Sequence, residues 1–204
     1  MSRDVDINYL VVTALFRAVE KWTGNSEMVI DYVFSGRNRV VDSFDLSRTI
    51  AWLNHFVPVY VNLKGKTDIE EVFHFVKDRL CSIPKKGMGY GCLRNLCNDA
   101  GILERMSEIP FPEIMYNYFN KELYINSFFA EGEWGYIRPA TESAGENEGQ
   151  NIYRGRLISV VAERSEDGLY CKLQYSCNIH KEDTMNTVLK YMSDEMSKLL
   201  TILN

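Results

Sequence analysis

The chain holds 204 residues, 46% of them hydrophobic and 25% charged, with a net charge of −5 at pH 7. Such values describe one folded domain with a sizeable core and exclude a wholly disordered, collagenous or low-complexity scaffold. The acidic balance argues against a non-specific nucleic-acid binder, which needs a basic surface, and no run of 18 apolar residues reads as membrane-spanning.

The first periodic segment runs from Ile7 to Trp22, with Leu10, Val11, Ala14, Leu15, Ala18 and Val19 on one helical stripe that Gly24 ends. Glu27 to Phe34 is apolar at nearly every position and predicts a central strand covered on both faces. The polar turn Ser35-Gly36-Arg37-Asn38-Arg39 closes it. Trp52 to Leu63 reads as strand, and Pro58 within it marks an edge or a bulge. Thr67-Asp68 opens a second helix with Ile69, Val72, Phe73, Val76 and Leu80 on its apolar face, ending at Pro84. Gly87-Met88-Gly89-Tyr90-Gly91 leads into a short helix over roughly 90–98.

Strand character returns at 112–119 and 123–129, and 138–150 is a polar, acidic loop. Ile152 to Ala162 and Leu169 to Ile179 predict two strands joined by Glu166-Asp167-Gly168, since Asp-Gly between strand runs signals a hairpin. A final helix over 181–203 carries Val188, Leu189, Met192, Met196 and Leu199 on one stripe. The order predicts an α/β sandwich in a single domain, 1–204, with a mixed sheet of five or six strands and helices largely on one face. Strands 27–34 and 112–119 are expected inside the sheet.

The five cysteines stand singly without a Cys-x-x-Cys pair, which fits reduced thiols in a cytoplasmic protein. An N-terminus without an apolar core segment carries no secretory signal. The three histidines show no ligand spacing to a cysteine, so no metal is expected. His74 and Asp78 share a helical face, either as a base pair or as a solvated surface; His55 and His180 have no partner in sequence. No Gly-x-Ser-x-Gly elbow occurs, and the glycines at 87–91 lack both phosphate-loop and dinucleotide spacing. Arg37 and Arg39 beside a glycine turn suit an anion or carboxylate clamp, or are exposed turn residues.

Four segments then occur in one order: Gly36-Arg37-Asn38-Arg39; Asp45-Leu46-Ser47-Arg48-Thr49-Ile50-Ala51-Trp52 ending in Pro58; Ile83-Pro84-Lys85-Lys86-Gly87-Met88-Gly89-Tyr90-Gly91; and Pro112-Glu113-Ile114-Met115-Tyr116-Asn117-Tyr118-Phe119. Together they resemble the C-terminal half of condensation-superfamily domains of nonribosomal peptide synthetases, and the last three are closest to the epimerization branch. The resemblance implies a chloramphenicol-acetyltransferase-like two-layer sandwich. It also implies a partner N-terminal subdomain that carries a His-His-x-x-x-Asp-Gly motif; no His-His pair occurs in this chain. At the position of the epimerization branch's second acid/base glutamate stands Val33, with Ser35 at its histidine.

The resemblance assigns Arg48, Asn117 and Tyr118 to the tunnel in which carrier-bound thioesters meet. Arg48 would offer charge to a developing oxyanion, and Asn117 and Tyr118 would orient the acyl group. Arg37 and Tyr90 are the substrate-contact candidates. No catalytic residue in this chain and no directly bound cofactor are implied, only the phosphopantetheine arm of a peptidyl carrier protein. The expected partners are that carrier and the N-terminal subdomain or parent synthetase, and the isolated chain is expected to be silent. The alternative is a non-catalytic carrier-docking or complementation module. Segment 121–151, with Tyr124, Phe128, Phe129, Trp134 and Tyr136, is the expected crossover to the missing half and a possible homodimer surface.

Overall fold

The structure is a computed structural model that describes residues 3–37, 45, 46, 48–120, 142, 145, 155–165 and 167–203. Its elements are α1 (Arg3–Thr23), β1 (Glu27–Ser35), β2 (Asn54–Asn62), α2 (Ile69–Cys81), a 3₁₀ turn (Pro84–Gly87), α3 (Met88–Leu96), α4 (Ala100–Ser107), β3 (Ile114–Asn120), β4 (Ile158–Ser165), β5 (Gly168–Tyr175) and α5 (Glu182–Leu203). The strands form one mixed sheet in the order β2-β1-β3-β4-β5. β1–β3 and β3–β4 pair in parallel, whereas β2 and β5 close the edges antiparallel.

Alternation along each strand sends one set of side chains to a common face. Register aligns Val59 with Ile30, Tyr32 with Tyr116, and Tyr116 with Val160. These residues share one core with Val11 and Leu15 of α1, Val72 and Val76 of α2, and Met185, Val188 and Met192 of α5. The three long helices therefore cover one face of a five-stranded sheet, as the sequence pattern predicts. Both internal strands are where expected, and Pro58 lies in edge strand β2.

Three expectations shift. The apolar run of β1 predicts cover on both faces, but the helices pack on one; the other carries Val29, Asp31 and Val33. Asp31 there is 2% exposed and accepts from Arg156 Nε at 2.7 Å, with a second contact from Nη2. The strand predicted to reach Ile179 stops at Tyr175, because the amides of Ile179 and His180 both turn back onto the Ser176 carbonyl at 3.0 Å. Helix α4 was unforeseen; Asp99 caps it by accepting from the Ile102 amide at 2.9 Å, and Gly101 in its first turn masks the signal. The predicted strand 123–129 and, apart from residues 142 and 145, the segment 121–151 lie outside the described residues.

Candidate functional site

Parallel pairing puts the carboxyl ends of β1, β3 and β4 on one edge of the sheet, and the antiparallel strands β2 and β5 begin there. Ligands of open α/β sheets bind outside such ends. The described parts of the four sequence motifs converge on this edge: the turn after β1, the loop into β2, the 3₁₀ turn beside β2, and the end of β3; Asn38, Arg39 and Ser47 lie outside the described residues.

Gly36 begins the first turn. Its amide donates to the Leu53 carbonyl at 2.9 Å, and a Cβ there would stand 2.0 Å from that oxygen, so no larger residue fits. The next residue, Arg37, directs its guanidinium at main chain: Nη1 donates to the Leu46 carbonyl at 3.2 Å, and Nη2 to those of Thr49 and Ala51 at 3.0 and 2.9 Å. Arg48 sits exposed in the turn that these contacts enclose, followed by Ile50 and Trp52, 102% and 81% exposed.

His55, near the start of β2, stacks on Phe34 with ring centroids 6.0 Å apart, and its Nε2 lies 2.9 Å from the Lys86 carbonyl. A carbonyl only accepts, so Nε2 carries the proton and donates. That contact anchors an unusual turn. Lys85 and Lys86 have φ of 49° and 52°, and Gly87 follows at 77°, three successive left-handed residues. Gly87 presses on β2, where a Cβ would fall 2.3 Å from Val57 Cγ2. Beyond it, Tyr90 on α3 is half-buried and accepts from Arg94 Nη1 at 2.7 Å.

Asn117 and Tyr118 are adjacent in β3 and so point to opposite faces. Tyr118 packs against the helix-covered core, while Asn117 shares the other face with Asp31 and pairs in register with Val161. The structure thus gathers Arg37, Arg48, His55 and the Lys85–Gly87 turn at one edge, but it separates Asn117 from Tyr118. His74 is exposed on α2 with Nε2 3.9 Å from Glu70, the solvated reading, and His180 packs edge-on against Trp22. Asp31–Arg156 was missed; the one signal was an acid inside an apolar run, which must find a partner when buried. Among the described residues no group of three or more His, Cys, Asp or Glu could hold a metal ion, and no helix is long and apolar enough to cross a membrane.

Comparison with known proteins adds three findings. The family described as Condensation domain matches residues 2–203. Linear gramicidin synthase subunits B and C of Brevibacillus parabrevis are 31% and 33% identical over 201 and 181 residues, which cover 96% and 89% of this chain. Those stretches are only 4% and 2% of the two synthase subunits. The epimerization domain from the third module of tyrocidine synthetase B superposes with a TM-score of 0.77 at 24% identity, covering 95% of this chain and 43% of that one. The X-domain from teicoplanin biosynthesis gives 0.63 at 14% identity, covering 93% and 40%.

Proposed function

The chain belongs to the condensation-domain family, and from that premise we propose that it is the C-terminal half of a nonribosomal-peptide-synthetase domain of the condensation or epimerization type. One observation carries the half-domain reading: the match fills the chain from residue 2 to 203, yet the chain spans 43% of a solved epimerization domain of the same fold; the absence of a His-His pair from the sequence supports the C-terminal half. Its substrates would be aminoacyl or peptidyl thioesters on the phosphopantetheine arm of a peptidyl carrier protein. The arm would enter at the carboxyl edge of the sheet, where Arg48 offers a cation to a developing oxyanion. Asn117 and Tyr90 would contact the acyl group.

The proton-transferring histidine would come from the other half. Valine at position 33 has no proton to give, which favours condensation-type transfer over two-base epimerization. The apolar side chains Ile50 and Trp52 would meet that half, or a second copy of this chain in its absence.

The test mixes the purified chain with a separately expressed N-terminal half and a loaded carrier. No turnover of the peptidyl thioester by the chain alone, and turnover on mixing, is the expected result. Turnover without the added half would refute the reading, and carrier binding without rescue on mixing would replace it with a docking module.

A further inference from the structure

We propose that Arg37 is a positioning residue, whose guanidinium holds the loop that carries Arg48 rather than contacting substrate. The role of Arg48 in this statement rests on the function proposed above; the role of Arg37 rests on geometry alone. Its two terminal nitrogens reach the carbonyls of Leu46, Thr49 and Ala51, which flank Arg48 on both sides. The Thr49 amide closes the same turn onto the Leu46 carbonyl at 3.1 Å, and Gly36 ties Leu53 from the next position.

The carbonyls of Leu46, Thr49, Ala51 and Leu53 are thus all fastened to two consecutive residues of the β1 end. Without these donors the carbonyls would turn to water, and nothing among the contacts described would fix the direction in which Arg48 projects. The planar fork matters here, because a lysine presents one nitrogen and cannot reach separated acceptors from two. Three of the five N–H donors of the guanidinium, including both hydrogens of Nη2, are thereby engaged on main chain, which fixes the fork on the loop.

Two measurements test this. In the 204-residue chain, trypsin cleavage after Arg48 reports how often the loop opens, and cleavage after Lys190 within α5 reports global unfolding. Arg37→Ala and Arg37→Lys are both expected to speed cleavage at Arg48 by about tenfold or more and to leave Lys190 unchanged. If Arg37→Lys kept the wild-type rate, charge and not the fork would be holding the loop, and the proposal would fall.

In the domain reconstituted with its N-terminal half, Arg37→Lys is expected to lower kcat about tenfold with little change in KM, and to add nothing in an Arg48→Ala background. A further loss in that background would mean that Arg37 touches substrate, and would overturn the proposal. Arg48→Ala with full turnover would sink the functional reading of Arg48, while the proteolysis result would still decide Arg37.

Discussion

Lys85 and Lys86 hold a backbone conformation that costs a non-glycine residue about 1 kcal/mol or more apiece. The turn persists because Ile83 packs into the core before it, His55 holds the Lys86 carbonyl, and Gly87 lies flat on Val57. Lys85→Gly is expected to raise stability by about 0.5–1 kcal/mol in urea unfolding, since the left-handed penalty disappears. Gly87→Ala should lose about 2–4 kcal/mol, because the methyl meets Val57 and the φ of 77° adds strain. A Gly87→Ala midpoint equal to wild type would contradict the packing described here.

Glu195 is the other residue whose surroundings set its chemistry. Its carboxylate is 1% exposed on α5, against Lys21 at 2.5 Å, Lys198 at 2.7 Å and Arg17 at 3.8 Å. Burial pushes the carboxyl up, but hydrogen bonds and attraction from Lys198 and Lys21 outweigh it and leave it below the ordinary value. A carboxyl depressed in the folded state adds stability that is complete above the unfolded value of about 4.3 and fades as pH falls through the folded one. The Tm of the wild type should therefore drop more steeply below about pH 4.5 than that of Glu195→Gln, measured by thermal scans across pH. At neutral pH, Glu195→Ala is expected to cost about 3 kcal/mol, because three cations then face one another without their anion.

Among the elements, those whose pattern is local were legible and those set by distant contacts were not. The stripe on α1, the Asp68 cap of α2 and the Asp-Gly hairpin all act within a few residues, so sequence alone places them. Asp68 accepts from the Glu71 amide at 2.9 Å as its position before an apolar face implies, and Asp68→Ala should lower stability by about 1 kcal/mol in denaturant unfolding. Arg37 shows the opposite case. Its neighbours in sequence suggest an anion site, whereas its partners lie 9, 12 and 14 residues away on a loop whose path no periodicity reveals.

The motif Asn117-Tyr118 reads as one unit in sequence. The strand's alternation divides it. The cluster of Asn8, Tyr32 and Tyr116 was equally invisible: Asn8 Nδ2 donates to the Tyr32 hydroxyl at 2.6 Å, and the Tyr116 hydroxyl donates to Asn8 Oδ1 at 3.0 Å. Burial pushes the Tyr32 hydroxyl up to about 12 and that of Tyr116 well above its ordinary value. Both phenols therefore stay protonated and serve as buried struts between α1 and the sheet.

For the molecule as a whole, the order β2-β1-β3-β4-β5 has a consequence for how the chain reaches this state. The β4–β5 ribbon pairs Ser165 with Gly168 and forms from local chain, and β1–β2 needs only the residues between 35 and 54. Neither ribbon is the sheet. β3 joins them, with Ile114 opposite Ile30 on one side and Ile158 on the other, separations of 84 and 44 residues by subtraction of those positions. Contacts that distant are slow to form, because loop closure is unfavourable until the packing that follows is gained. Until β3 arrives, each ribbon presents a bare inner edge, the arrangement from which strands pair with the wrong chain. The seam should thus be the folding bottleneck. In stopped-flow chevrons, Ile114→Val is expected to slow refolding with little change in the unfolding rate, whereas Leu173→Ala on edge strand β5 should mainly speed unfolding. The sheet's central strand would then be the last to be placed and the first on which the yield of folded protein depends.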